Sequence, residues 1–265
     1  MGRVWLSGLA SWTPVDVASH DPELQGTLER AWSRCVGPTA DSSAVITDPV
    51  PVRLLGPAER ADTDLGGVQT VNPEILLQRL TQEVTYAKIR AQAGKLYMFH
   101  AGAVANVDTG DAVAFVAPGG TGKTTLIRSL GSRYGYLTDE TVGVDVSRRI
   151  YPYPKPLSTR GEKGAPKAEI SPDDLGLLPA PEAPVLRRIV LLNRDQHHHG
   201  RPTIQPLDTV QAIMALAPES SSLSLLPRPL HTLAGILDSL DHTVRLTYRE
   251  VASLDALVDD WLTRP

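Results

Sequence analysis

Residues 112–130 read AVAFVAPGGTGKTTLIRSL, and the fold turns on this stretch. It opens with five apolar residues, 112–116, and closes with Leu126, Ile127 and Leu130 at helical spacing. Between them lie three glycines followed by Lys123-Thr124-Thr125. Strand, glycine-rich loop and helix, in that order, are the context of a phosphate-binding loop written G-x-x-x-x-G-K-[ST]. Gly122, Lys123 and Thr124 match the second half of that pattern, and Ala117 stands where its first glycine belongs. The physics tolerates the change: Gly119, Gly120 and Gly122 let backbone N–H groups curl round a phosphate, and the helix N-terminus adds the positive end of its dipole. Pro118, Gly119, Gly120, Thr121, Gly122, Lys123, Thr124 and Thr125 are therefore the expected nucleotide site. Lys123 would reach the β and γ phosphates, and the Thr124 hydroxyl would sit on Mg2+. The competing reading is a tight strand-to-helix turn with a solvated Lys123; the flanking strand and helix favour the loop.

Upstream, residues 97–104 are strand-like and meet 112–116 across a turn at 108–111, an expected hairpin. Before them Asn72 and Pro73 read as N-cap and first residue of a helix over 73–93, ended by Gly94. Downstream, the short strand 136–138 ends at Asp139-Glu140. If it runs parallel to 112–116, its C-terminal end lies on the phosphate edge of the sheet. A carboxylate there can coordinate Mg2+ or accept the proton of an attacking hydroxyl. Asp139 is the preferred base, and Asp139 and Glu140 join Thr124 as candidate metal ligands; the plain alternative is an acidic turn. His100 lies mid-strand, and the small residues Ala101, Gly102 and Ala103 beside it leave space for a ligand or a close backbone. A lone strand histidine is otherwise a structural residue more often than a catalytic one.

Residues 1–70 carry short apolar runs broken by Pro, Gly and Asp, which suits a small, mainly β N-terminal subdomain of antiparallel strands ahead of a catalytic domain over 71–265. Residues 142–146 and 149–153 suit another hairpin, 186–192 a buried strand and 243–248 a late one; helices are expected at 207–216, 229–240 and 252–263. The stretch 154–184, rich in Pro, Gly and charge, reads as a long surface excursion. Within it Lys155 and Arg160 either line an acceptor channel or are solvated loop cations. His197-His198-His199 reads as loop rather than metal site, since three adjacent imidazoles cannot all face one ion. Asp195, after the 186–192 strand, is a second candidate for Mg2+.

Across 265 residues, 42% are hydrophobic and 21% charged, which excludes intrinsic disorder for most of the chain. A formal charge of −4 gives no global reason to bind a polyanion, so nucleic acid is not an expected partner. One cysteine, Cys35, permits no intrachain disulfide and suits a reducing, cytoplasmic compartment. No apolar run reaches the length of a membrane span, and no membrane partner is expected.

Taken together, His100-Ala101-Gly102-Ala103-Val104, the loop from Ala117 to Leu126, and Tyr136-Leu137-Thr138-Asp139-Glu140 resemble the catalytic core of HPr kinase/phosphorylase. The order and spacing agree over residues 97–140, and the same core is similar to the P-loop region of phosphoenolpyruvate carboxykinase. The resemblance implies an α/β fold of the HPr-kinase type, a P-loop-containing mixed sheet flanked by helices, and ATP-dependent transfer of a phosphoryl group to a serine hydroxyl. It assigns Lys123 and the loop glycines to phosphates, Thr124 to Mg2+, Asp139 to the base and His100 to the active-site neighbourhood. Arg160 would clamp the transferring phosphate. The sequence departs from the family at Glu140, where a second aspartate is usual, and at Ser158-Thr159-Arg160-Gly161, which lacks the glutamate of the bacterial signature before Arg-Gly. Related cores occur in tailoring kinases of ribosomally made peptides, including lasso peptides. The expected cofactors are ATP and Mg2+, and the expected partners a nucleotide and a peptide or protein hydroxyl, with homo-oligomers left open. A small-molecule kinase of the same fold, or an ATP-dependent switch or assembly factor, are the alternatives.

Overall fold

The computed structural model describes residues 2–18, 22–38, 44–159 and 167–263. The chain opens with strands β1 (Gly2–Gly8) and β2 (Ser11–Val17), helix α1 (Pro22–Ala31), strands β3 (Val50–Leu54) and β4 (Val68–Thr70), and helix α2 (Pro73–Gln92). There follow β5 (Tyr97–Ala105), β6 (Asp111–Val116), α3 (Lys123–Gly131), β7 (Gly135–Thr138), β8 (Thr141–Val144), β9 (Ile150–Tyr151), β10 (Leu157–Thr159) and β11 (Ala168–Ile170). The last third holds β12 (Val185–Arg194), β13 (Thr203–Pro206), α4 (Thr209–Leu216), β14 (Ser220–Ser221), α5 (Pro229–Asp238), β15 (His242–Tyr248) and α6 (Asp255–Thr263). The chain forms two compact units: Met1–Gln92 with Tyr153–Gly176, and Ala93–Pro152 with Leu177–Pro265.

The first unit is built on a four-stranded sheet in the order β1-β2-β3-β4. Only β1 and β2 pair antiparallel; β2–β3 and β3–β4 are parallel, contrary to the antiparallel arrangement expected for residues 1–70. The physical reason is connection length: residues 18–49 and 55–67 are long enough to return the chain to the end at which it started, which a parallel neighbour requires. The boundary drawn at residue 70 falls between β4 and α2, yet α2 remains with this sheet, burying Leu76, Leu80 and Val84 and packing on β2, β3 and β4. Asn72 caps it as expected, its Oδ1 accepting from the N–H groups of Glu74 at 2.8 Å and Ile75 at 3.1 Å. The described residues of the 154–184 excursion are also more structured than expected: Lys155, Leu157 and Ser171 are buried, and β10 pairs with β11. Leu157, with Tyr153 just ahead of the stretch, is fully buried in the unit's core, which a solvated loop residue would not be.

The second unit carries the phosphate loop. Its mixed sheet has the order β13-β15-β12-β6-β5-β8-β9, with β7 and β14 also pairing to β5. β15, β12 and β6 run parallel, so their C-terminal ends share one edge of the sheet. The expected hairpin is present, with β5 antiparallel to β6 and Ala101 opposite Val116. Odd-numbered residues of β5, from Tyr97 to Ala105, face a core closed by Ala212 and Leu216 of α4 and Leu233, Ile236 and Leu237 of α5. Even-numbered residues face the other side, where α3 buries Leu126, Ile127 and Leu130. This is the α/β architecture anticipated: a mixed sheet flanked by helices, with a small mainly β unit at the N-terminus.

Candidate active site

Strand β5 changes partner on both edges near His100 and Ala101. On one edge β6 pairs with Ala101 to Ala105 and β14 with Met98 and Phe99. On the other, β7 pairs with Ala103 to Ala105 and β8 with Tyr97 to His100. The phosphate loop leaves where β14 takes over from β6, and on the other edge Asp139-Glu140 joins β7 to β8, the Ala101 N–H donating to the Glu140 carbonyl at 3.1 Å. Because β5 is antiparallel to both β6 and β7, those two strands run the same way, and Val116 and Thr138 end on the same side of the sheet. The condition placed on Asp139 by its sequence is therefore met, through a shared neighbour rather than by direct pairing.

The loop itself has the backbone of an anion cradle. Gly120 and Gly122 hold φ of 83° and 94°, which L side chains rarely adopt. A Cβ added at Gly119, Gly120 or Gly122 would meet nothing within 4 Å, so these glycines serve backbone conformation and leave the space above the loop open. Helix α3 starts at Lys123 with no side-chain cap and no acid in its first turn, so its leading N–H groups keep their donors for a ligand. Pro118, Gly119, Gly120 and Thr125 are exposed. Thr121 stays partly covered, its hydroxyl donating to the Pro118 carbonyl at 2.8 Å, and the Tyr248 hydroxyl reaches the Thr121 carbonyl at 3.5 Å.

Lys123 is buried and turned back, its Nζ donating to the carbonyls of Ala117 and Pro118. Burial lowers its pKa, while Glu219, Asp139 and Glu140 oppose that shift. The Thr124 hydroxyl donates to Asp139 Oδ2 at 2.9 Å, tying the first turn of α3 to the end of β7. The Tyr136 hydroxyl donates to Asp139 Oδ1 at 3.2 Å from the same short strand. Asp139 is thus buried with both oxygens engaged, and Glu140 beside it is partly exposed. His100 lies on the α3 side of β5; burial and the Lys123 charge hold its pKa below the usual imidazole value, against Glu140 and Glu219. The imidazole is accordingly neutral at neutral pH.

Small residues around His100 serve packing rather than a ligand. A Cβ on Gly102 would lie 2.3 Å from Ile127 Cγ1, so this glycine lets α3 sit close against the sheet. Thr124, Asp139 and Glu140 offer hard oxygen donors, the chemistry that suits Mg2+ completed by phosphate oxygens and water. Among the described residues no group of three or more His, Cys, Asp or Glu could hold a metal ion.

Other candidates lie apart from this cluster or outside the described residues. Arg160 lies outside the described residues. Lys155 is buried in the first unit and donates to the Pro156 carbonyl at 3.1 Å, so it is not a solvated loop cation. Asp195 Oδ1 accepts from the His197 N–H at 2.8 Å, and its role there is to shape the 195–200 loop. The three histidines lie in that loop, His198 Nε2 being 2.9 Å from the Arg201 carbonyl. Conversely, Tyr136, Tyr248 and Glu219 join the site without having been singled out. Tyr136 lies three residues before Asp139 and was within reach of the motif; nothing local marks the other two.

No family model and no curated protein matches the chain. Among solved structures it is similar to the Hpr(Ser) kinase/phosphatase from Coxiella burnetii, at 12% identity, over 63% of this chain and 93% of that one, with a TM-score of 0.33. That likeness is too loose to assign a family. Among the described residues no helix is long and apolar enough to cross a membrane.

Proposed function

We propose that the second unit is an ATP-dependent phosphotransferase that moves the γ-phosphoryl group to a hydroxyl, with a serine of a peptide or protein as acceptor. The observation that carries this reading is the 2.9 Å hydrogen bond from Thr124 to Asp139, which fixes an acid beside the phosphate loop at the point where β5 changes partners. A serine acceptor is supported by the likeness of residues 97–140 to the HPr kinase core.

In this reading the N–H groups of the loop and of the first turn of α3 hold the phosphates. Lys123 leaves its two carbonyl acceptors and follows the charge that develops on the transferring group. The acceptor oxygen attacks phosphorus as the bond to the ADP oxygen breaks, and the hydroxyl proton passes to Asp139. A carboxylate offers about four lone-pair positions, so the contacts with Thr124 and Tyr136 fix Asp139 without exhausting it. Mg2+, held by Thr124, Asp139 and Glu140 with the phosphates, would neutralise charge on the leaving and transferring groups.

The test is transfer of label from γ-labelled Mg-ATP to serine-containing peptides and proteins. Label should reach an acceptor with the native chain and fall by about 100-fold or more in Asp139→Asn and Lys123→Ala. Label on a small alcohol only would move the acceptor class, and label released only as free phosphate would replace the kinase reading with a nucleotide switch.

A further inference from the structure

Glu219 is the acid that neither the loop motif nor the Asp139-Glu140 pair accounts for. It ends the 3-10 turn Ala217–Glu219 and immediately precedes β14. β14 adds to β5 on the edge that β6 has just vacated, with Ser220 opposite Phe99 and Ser221 opposite Met98. Continuing that register by one residue puts Glu219 level with His100, one step from Ala101 and its partner Val116. Val116 leads directly into Ala117, whose carbonyl receives the Lys123 ammonium. Glu219 therefore approaches the lysine from the β6 edge of β5, opposite to Asp139 and Glu140. The Ser220 hydroxyl anchors this turn by donating to the Leu216 carbonyl at 2.7 Å, so the acid is carried on fixed backbone. Glu219, with Asp139 and Glu140, favours the charged form of Lys123 against the effect of burial, and it also acts on His100.

We propose that Glu219 is a positioning residue, the through-space counter-charge that keeps Lys123 turned back onto the Ala117 and Pro118 carbonyls, so that an incoming nucleotide competes with it for the ammonium. This rests on Lys123 being a phosphate ligand, as proposed above. The electrostatics give it a sign. With Glu219 neutralised, less holds the lysine away from the phosphates, and the approaching anion meets one fewer negative charge. Only the first of these effects requires Lys123.

The experiment is calorimetric titration with ATP, with and without Mg2+, of the native chain, Glu219→Gln and Glu219→Asp, each also in a Lys123→Met background. Glu219→Gln should bind metal-free ATP about three- to tenfold more tightly. Glu219→Asp, which keeps the charge, should stay near the native value. The gain should shrink to less than about twofold when Lys123 is Met, as a double-mutant cycle requires if the two residues act through each other. Thermal unfolding of each variant guards the reading: Glu219 is partly exposed, and a fall in melting temperature shared by Gln and Asp would make its role structural and overturn the proposal. An unchanged or weaker affinity in Glu219→Gln overturns it as well, as does a gain undiminished in the Lys123→Met background. Failure of the native chain to bind ATP at all overturns the nucleotide reading itself, which is a distinguishable result.

Discussion

Lys88 and Lys123 are both buried lysines, and they differ in what their amines face. Lys123 has three carboxylates acting on it. Lys88, on α2, donates to the Leu6 carbonyl at 2.8 Å and the Ser11 carbonyl at 3.1 Å. Those carbonyls flank a turn in which Leu9 and Ala10 take φ of 50° and 51°, a left-handed pair with no glycine or asparagine, and Gln92 holds the Ala10 carbonyl at 2.7 Å. Burial lowers the Lys88 pKa to about 7, and a neutral amine still offers two N–H groups for the two carbonyls. The sign of its effect on stability follows from proton counts. Between about pH 7 and the usual lysine value the unfolded chain carries this proton and the folded chain does not, so stability rises with pH across that window; below it the penalty for burying the charge is fully present. Unfolding of the native chain and of Lys88→Met at pH 6.5, 7.5 and 8.5 checks this. The difference between them should move in favour of the native chain by on the order of 1 kcal/mol per pH unit above pH 7, and a difference independent of pH would contradict it. Residues bound to a motif, such as Lys123, Thr124 and Asp139, were legible in the sequence because a few neighbours fix their setting. Lys88 and Glu219 were not, since their settings depend on a turn some 80 residues away and on the register of a two-residue strand.

At the scale of elements, the contact between α3 and β5 sets where the loop points. Gly102 permits it, and Gly102→Ala would place a methyl 2.3 Å from Ile127 Cγ1. The helix has to shift or the core to strain, at a cost of about 1–3 kcal/mol. Because α3 carries Lys123 and Thr124 at its head, nucleotide affinity should fall along with stability. Trimming Ile127 to Ala alongside Gly102→Ala should return part of both, measured by unfolding and ATP titration; fully additive losses would contradict this account of the glycine. The sequence showed this helix, the 97–116 hairpin and the capped α2 because each rests on local signals: periodicity, a turn, Asn72 ahead of Pro73. Parallel pairing in the first unit was hidden, since direction depends on where a long connection re-enters the sheet. The buried return of residues 153–176 was hidden for a related reason: Pro, Gly and charge resemble a solvated loop until the aromatic and apolar residues among them find a core.

At the scale of the whole molecule, the chain divides into a unit organised by a four-stranded sheet and one organised by a mixed sheet. Every described residue assigned here to phosphate, metal or proton transfer belongs to the second, within 93–152 and 177–265. That confines the central claim to one body: the 117–125 loop and Asp139 form a single nucleotide site. Its most direct test is titration of the intact chain with Mg-ATP, beside Lys123→Ala and Asp139→Asn. The account predicts saturable one-to-one binding, weakened at least about tenfold by Lys123→Ala through loss of a charged phosphate contact and altered by less than that in Asp139→Asn. Absence of saturable binding, or an affinity indifferent to Lys123, would contradict it.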